Sequence, residues 1–303
     1  MGKLIVIYST FCLSTFFLNG QIPDYVQSLK QAKILYSSQE YRLAKEKYLK
    51  LVKYEESWRT DIYYLAKCYA QIKQEDSCKY YLTKAARLGL RYSSIKSLNN
   101  DSVFSQYFDN PDWSEVYSLL LQNTRRYDEI QFPVLRKCLD TLLIRDQKYR
   151  SEKTDSDDWN KQKAFDKENR QILNEIISEI GWPSISKVGA EGSKSAWLIA
   201  QHSDDDLEFQ LKALKYLEDA VKSYDADKNN YAYLFDRVQI NQGLKQKFGT
   251  QYIIEYDSLG FIQNLSFKPI LDTVNVDLYR EYYGLPTLAE YKTMALKHQK
   301  DKG

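Results

Sequence analysis

Between Asp24 and Tyr92 the chain repeats itself at an offset of 34 residues. Ala32 corresponds to Ala66, Ala44 to Cys78, Tyr48 to Leu82 and Leu51 to Ala85. Self-similarity at one fixed period marks stacked helical units. Within each unit the apolar positions recur at helical spacing: Ala44, Tyr48 and Leu51 in the first, Cys78, Leu82 and Ala85 in the second. The pattern predicts helices at Asp24–Ser37, Arg42–Tyr54, Trp58–Gln71 and Glu75–Leu88, packed as two antiparallel pairs. Ala32 with Ala44 and Ala66 with Cys78 then sit where paired helices approach most closely, because a larger side chain would push them apart. Hydrophobic residues make up 43%, enough for a core, while 11 Gly and 6 Pro in 303 residues are too few for a sandwich or barrel. The expected class is mostly α.

The repeat resembles degenerate tetratricopeptide units, with the aromatic, Gly and Pro of the full pattern mostly replaced. Two units are fewer than the three that usually stand alone, so the stretch from Asn100 to Val116 is expected to add a capping helix pair. The resemblance implies either a concave groove for a protein or peptide partner or a plain spacer.

At the N-terminus Met1-Gly2-Lys3 precedes an uncharged run from Leu4 to Leu18 and then Asn19-Gly20-Gln21. This reads as a signal peptide over residues 1–20, cut after Gly20, and hence a periplasmic or secreted protein. A retained anchor is the competing reading, but the run falls short of the ~20 residues a spanning helix needs. No transmembrane anchor is expected after cleavage. The remaining chain carries a net charge of +5 before Asp128 and −4 from there on. That mild polarity gives no case for nucleic acid and suggests two domains, 21–127 and 128–303. Cys68, Cys78 and Cys138 lack metal-site spacing. Core thiols are expected, with a Cys68–Cys78 disulfide as the alternative.

From Asp128 onward the text changes. Leu135, Cys138, Leu139, Leu142 and Tyr149 make one helical stripe, and Phe165, Ile172, Leu173, Ile176, Ile177 and Ile180 a second, closed by Gly181-Trp182-Pro183. Ala196–Ala200 is apolar all round, a short buried helix, with Ser193 and Ser195 flanking its start as caps. Asp205 and Glu208 suggest a capping box for a helix through Leu207, Leu211, Leu214, Leu217 and Val221. Another helix runs through Tyr231, Leu234, Phe235 and Val238. Tyr252–Tyr256 reads as a strand, and a last helix falls near Leu288–Lys297. The expected architecture is therefore a short helical array followed by a helical domain with a small β element near its C-terminus.

Several landmarks here occur in order: Asp146-Gln147 with Arg150, Asp166 with Asn169, Gly181-Trp182-Pro183, Val188-Gly189, Ala196 through His202, Asp236-Arg237, Gly249-Thr250-Gln251, and a tail from Pro269-Ile270 to Gly284-Leu285-Pro286. Together, over roughly Leu135 to Tyr291, they resemble a bacterial domain of unknown function found alone or behind tetratricopeptide repeats. Ser203 and Phe248 depart from that pattern, where a small apolar residue and Tyr are expected. The resemblance implies a fold and a residue set, and no reaction.

Asp146 continues an apolar stripe and Asn169 falls between Phe165 and Ile172, so each needs a buried partner. Arg150, four residues after Asp146, suits an ion pair with it. His202 ends the buried Ala196–Ala200 helix, either as a structural cap or as a proton donor and acceptor. Asp236 and Arg237 are adjacent on a helix, so their side chains diverge and each looks elsewhere. Gly249-Thr250-Gln251 suits a ligand-facing loop. The expected ligand-binding set is Asp146, Arg150, Asn169, Gln201, His202, Arg237, Thr250 and Gln251, converging on one polar pocket for a small polar ligand. No GxGxxG, P-loop, GxSxG or HExxH occurs, so neither cofactor nor metal is expected. Two functions stand side by side. One is an exported binding protein, with its repeats on a partner and its C-terminal domain on a ligand. The other is a hydrolase or lyase with His202 as general acid/base, Asp236 or Asp146 orienting it and Arg150 or Arg237 holding an anion. A purely structural envelope protein, with neither function, is the third reading.

Overall fold

Helices α1 (Gln21–Ser37) and α2 (Tyr41–Leu51) form one hairpin, and α3 (Arg59–Gln71) and α4 (Glu75–Arg87) a second. Ala32, Ala44, Ala66 and Cys78 are all fully buried between them. The repeat extends to the backbone: the two hairpin turns carry Gln39 and Lys73, both left-handed, at φ 62° and 56°. Side chains other than glycine rarely take that conformation, so its recurrence at equivalent positions marks the same turn built twice. Tyr48 stacks on Tyr64, bridging the hairpins. Ala44→Leu is expected to overpack the first hairpin and cost on the order of 1–3 kcal/mol; an unchanged melting temperature would show that α1 and α2 do not meet there. The computed structural model describes residues 21–54, 57–150, 156–257 and 262–300. The expected signal segment 1–20 lies outside them.

The capping helix pair expected over Asn100–Val116 takes another form. Two short helices, α5 (Ile95–Asn99) and α6 (Ser105–Phe108), and a 3-10 turn (Pro111–Trp113) lead into a single long helix, α7 (Ser114–Asp128), against α4. Side chains divert the backbone here. Asp101 accepts from the amides of Val103 and Phe104, and Asn110 from that of Asp112, bonds that compete with helix continuation. Trp113 is buried and donates to Glu75, which fixes the start of α7 on α4.

The C-terminal half comprises α8 (Pro133–Gln147), α9 (Ser156–Ile180), α10 (Ile185–Gln201), α11 (Leu207–Lys222) and α12 (Lys228–Asn241). Helix α10 packs against α7, α8, α9, α11 and α12, which is why its last turns are apolar all round. It begins well before Ala196 and is kinked at Gly189, whose φ of 76° lies outside helical space. Ser193 and Ser195 therefore lie within the helix rather than capping it: Ser193 accepts from the Trp182 indole and Ser195 donates to the Glu191 carbonyl. Helix α9 ends at left-handed Gly181. The cap of α11 is Asp206, which accepts from the Phe209 amide; Asp205, itself exposed, instead pairs with buried Arg170.

Strands β1 (Tyr252–Tyr256) and β2 (Ile262–Phe267) form an antiparallel pair, Tyr252 facing Phe267, with a bulge at Glu255/Tyr256. Two helices follow, α13 (Val276–Tyr282) and α14 (Leu288–Lys300). The protein is thus mostly helical with one small sheet near the C-terminus. Helix α13 lies on α1, where Tyr282 packs edge-on to Tyr25 at 5.6 Å and Glu281 pairs with Lys30 at 2.6 Å. Trp58 joins this seam, 5.3 Å from Tyr282, with the Lys228 ammonium over its indole at 4.6 Å. Cys68 and Cys78 are buried free thiols, each pushed up to about 12 by burial.

Candidate functional site

The buried end of α10 delivers His202 to the surface of the C-terminal half, one-fifth exposed. Its Nδ1 lies 2.9 Å from each carboxylate oxygen of Asp146, which α8 holds at 1% exposure. Gln147 Nε2 donates to the same carboxylate at 2.6 Å, and Arg150 Nη2 stands 3.6 Å away while pairing with Asp166 at 2.7 Å. Burial alone would push the Asp146 carboxyl up. The His202 hydrogen bond and charge, with Arg150 and Gln147, outweigh it and hold the carboxyl below its ordinary value. An ionised carboxylate only accepts, so Nδ1 carries the proton and Nε2 is the ring nitrogen left for other partners.

Beside His202 opens a cleft of about 320 Å³ lined by Trp197, Gln201, Arg237, Thr250, Gln251, Lys268 and an aromatic wall of Tyr233, Tyr252 and Tyr291. Two donors border it without an acceptor among the described residues: the Trp197 indole Nε1 and Gln201 Nε2. Gln201 is 4% exposed, and its oxygen accepts from Arg237 Nε at 3.3 Å, so its amide orientation is set. Arg237 also holds Asp204 at 3.0 Å. The acidic triplet after His202 is divided: Asp204 binds Arg237, Asp205 binds Arg170, and Asp206 caps α11.

The far wall is a loop held by both of its backbone polar groups. The fully buried Asp236 carboxylate accepts from the amides of Lys247 (2.8 Å), Phe248 (3.0 Å) and Thr250 (2.9 Å), and from the Thr250 hydroxyl (3.0 Å). The carbonyls of Phe248 and Gly249 accept from Arg280, also fully buried. Burial pushes the Asp236 carboxyl up, and the four donated bonds oppose it. Buried Gln246 accepts from the Gln251 amide and donates to the Gln251 and Lys268 carbonyls, tying both sides of the cleft rim together. Gly249 has φ 67°, and a Cβ there would stand 2.6 Å from Leu288 Cδ2, so the turn admits only glycine.

Of the residues expected to converge, Gln201, His202, Arg237, Thr250 and Gln251 share the cleft. Asp146 and Arg150 stand behind His202 as its support. Asn169 is elsewhere, fully buried, donating to the Leu142 carbonyl as a helix-to-helix tie. Asp236 does not orient His202, because its carboxylate is wholly engaged by the 247–250 loop. The sequence reading missed Trp197, Tyr233, Lys268 and Tyr291. Trp197 had a visible signal, the one polar hydrogen in the apolar Ala196–Ala200 run. Lys268 had none. Among the described residues no group of three or more His, Cys, Asp or Glu is placed to hold a metal ion, and no helix is long and apolar enough to cross a membrane.

A protein-family model described as a family of unknown function, DUF6624, matches residues 144–299. The match spans just over half of the chain, from the last turn of α8 through α14, and includes every residue of the cleft. The chain belongs to that family. No curated protein and no solved structure matches it.

Proposed function

We propose that this DUF6624 protein is an exported binding protein whose C-terminal half holds a small polar ligand in the cleft beside His202. One observation carries this reading: Trp197 Nε1 and Gln201 Nε2 are buried donors, bordering one cleft, with no acceptor among the described residues. Buried donors are nearly always satisfied, so a pair left open beside a cavity calls for an acceptor from solvent or ligand. A crystal soaked with a metabolite mixture is expected to show a molecule touching Gln201 and His202. An empty cleft, with no ligand raising the melting temperature, would sink the proposal. Gln201→Leu, of similar volume, is expected to lower the affinity of any ligand so found on the order of tenfold, as loss of one buried hydrogen bond implies.

A second reading, a hydrolase or lyase, is favoured by the two-oxygen contact of Asp146 with His202 Nδ1. A carboxylate in that position fixes the ring and supports positive charge on it, the arrangement a general base uses. His202→Gln separates the two. A binding site keeps its ligand within a few-fold of wild type, whereas turnover of a substrate disappears.

For the N-terminal hairpins we retain the tetratricopeptide-like assignment. The contact of α13 with α1 supports a bracing role, and leaves protein or peptide contact to faces that α13 does not cover. Export rests on the charge and length of residues 1–20. Intact mass of protein from its native host is expected to begin at Gln21, and a retained Met1–Leu18 segment in the membrane fraction would refute export.

A further inference from the structure

The residues facing the cleft select for one kind of ligand chemistry, an inference that rests on the ligand-site reading above. No carboxylate is among the eleven lining residues, while Arg237 and Lys268 both are. The acids bound to lining residues already hold partners: Asp146 with His202, Asp204 with Arg237, Asp236 with the 247–250 loop, so that Lys268 carries the positive charge with no carboxylate partner among the described residues. The hydrogen-bonding atoms lean the same way, with His202 Nε2 and the Gln251 side-chain oxygen as acceptors among them. The Trp197 indole, the Arg237 guanidinium and the Lys268 ammonium only donate. The Gln201 oxygen already accepts from Arg237, while its Nε2 hydrogens are open. Thr250 sends its hydroxyl hydrogen to Asp236 and accepts from Gln251 Nε2. A ligand bringing donors of its own would compete for these few acceptors, and each donor left unpaired costs about 1–3 kcal/mol.

We propose that the cleft takes a small organic oxyanion, a carboxylate or phosphate monoester, with its charged end toward Gln201, Trp197 and Lys268. Tyr233 and Tyr291, set edge-to-face at 6.1 Å, offer two aromatic ring surfaces nearly at right angles for its body.

The test is titration of the uniformly ¹⁵N-labelled chain from Gln21, followed through the Trp197 indole N–H, which Trp197→Phe identifies. Sodium benzoate, inorganic phosphate and the neutral isostere benzamide serve as probes at fixed ionic strength. A saturable shift with benzoate or phosphate, and a much weaker response to benzamide, is the expected result. Which anion binds more tightly then tells a carboxylate ligand from a phosphate. Lys268→Met is expected to weaken binding of the responding anion about tenfold, as loss of one charged hydrogen bond implies. Equal affinity for benzamide and benzoate, or no loss in Lys268→Met, overturns the oxyanion assignment while leaving a ligand site in place. An indole that responds to no probe overturns the assignment and the ligand-site reading together.

Discussion

Asp236→Ala is expected to destabilise the protein on the order of 3–5 kcal/mol, the range seen when a buried charge is removed from its partners. Four donors lose their acceptor at once: the amides of Lys247, Phe248 and Thr250, and the Thr250 hydroxyl. All four sit on buried residues, so water does not readily replace the carboxylate. The carbonyl side of the same loop remains bound to Arg280, whose buried guanidinium then loses one of the carboxylates that offset it, Asp277 remaining. Asp236→Asn should cost less, because the amide oxygen still accepts while its nitrogen faces backbone amides that also donate. Urea denaturation of the three proteins reads the order directly, wild type above Asn above Ala. An Ala variant within 1 kcal/mol of wild type, below the usual effect of losing even one buried partner, would mean that the loop is not clamped. Because Thr250 and Gln251 sit on this loop, the Ala variant should also lose the cleft's far wall and its ligand.

That residue shows where the sequence stops being readable. The 34-residue period revealed both hairpins, since close helix contacts demand small side chains at fixed intervals, and Ala32, Ala44, Ala66 and Cys78 are where they meet. The apolar stripes revealed α8 and α9, and Gly181 the end of α9. Asp236 was visibly a polar group on an apolar helix, but its partners are backbone amides, which carry no signature in the text. The role of orienting His202 was open to Asp146 or Asp236, and only the fold, bringing together residues 56 apart in sequence, assigns it to Asp146. Asn169 obeyed the same rule about buried polar groups and found its partner in a carbonyl of the neighbouring helix, outside the cleft lining. A polar residue on an apolar face therefore announces a buried bond and does not say whether that bond serves a site. The region from Asn100 to Trp113 was misread for a related reason. Asp101 and Asn110 hold the backbone through local bonds that interrupt helical periodicity.

Asp146→Asn is expected to lower stability at pH 7 by roughly 2–4 kcal/mol, between the loss of a charged hydrogen bond and the breaking of a buried pair. The size of that loss should depend on pH in a definite direction. The folded protein holds the Asp146 carboxyl below its ordinary value, so the folded state binds that proton less readily than the unfolded chain does. Its stabilising contribution is therefore complete above the unfolded carboxyl value of about 4 and disappears as pH falls through the folded value. Wild type should lose more stability than Asp146→Asn on going from neutral to strongly acidic solution, and the two curves should converge at the acid end. Asn can still accept from Nδ1 through its oxygen, so the fold and the ring position are kept, while the negative charge that supports a protonated ring is lost. Ligand binding that relies only on the hydrogen bonds of Gln201 and Trp197 should survive this change, and any proton transfer through His202 should not. Parallel stability curves for the two proteins across acid pH would show that Asp146 is not ionised against His202. The paired arrangement would then be a neutral hydrogen bond with no part in proton chemistry.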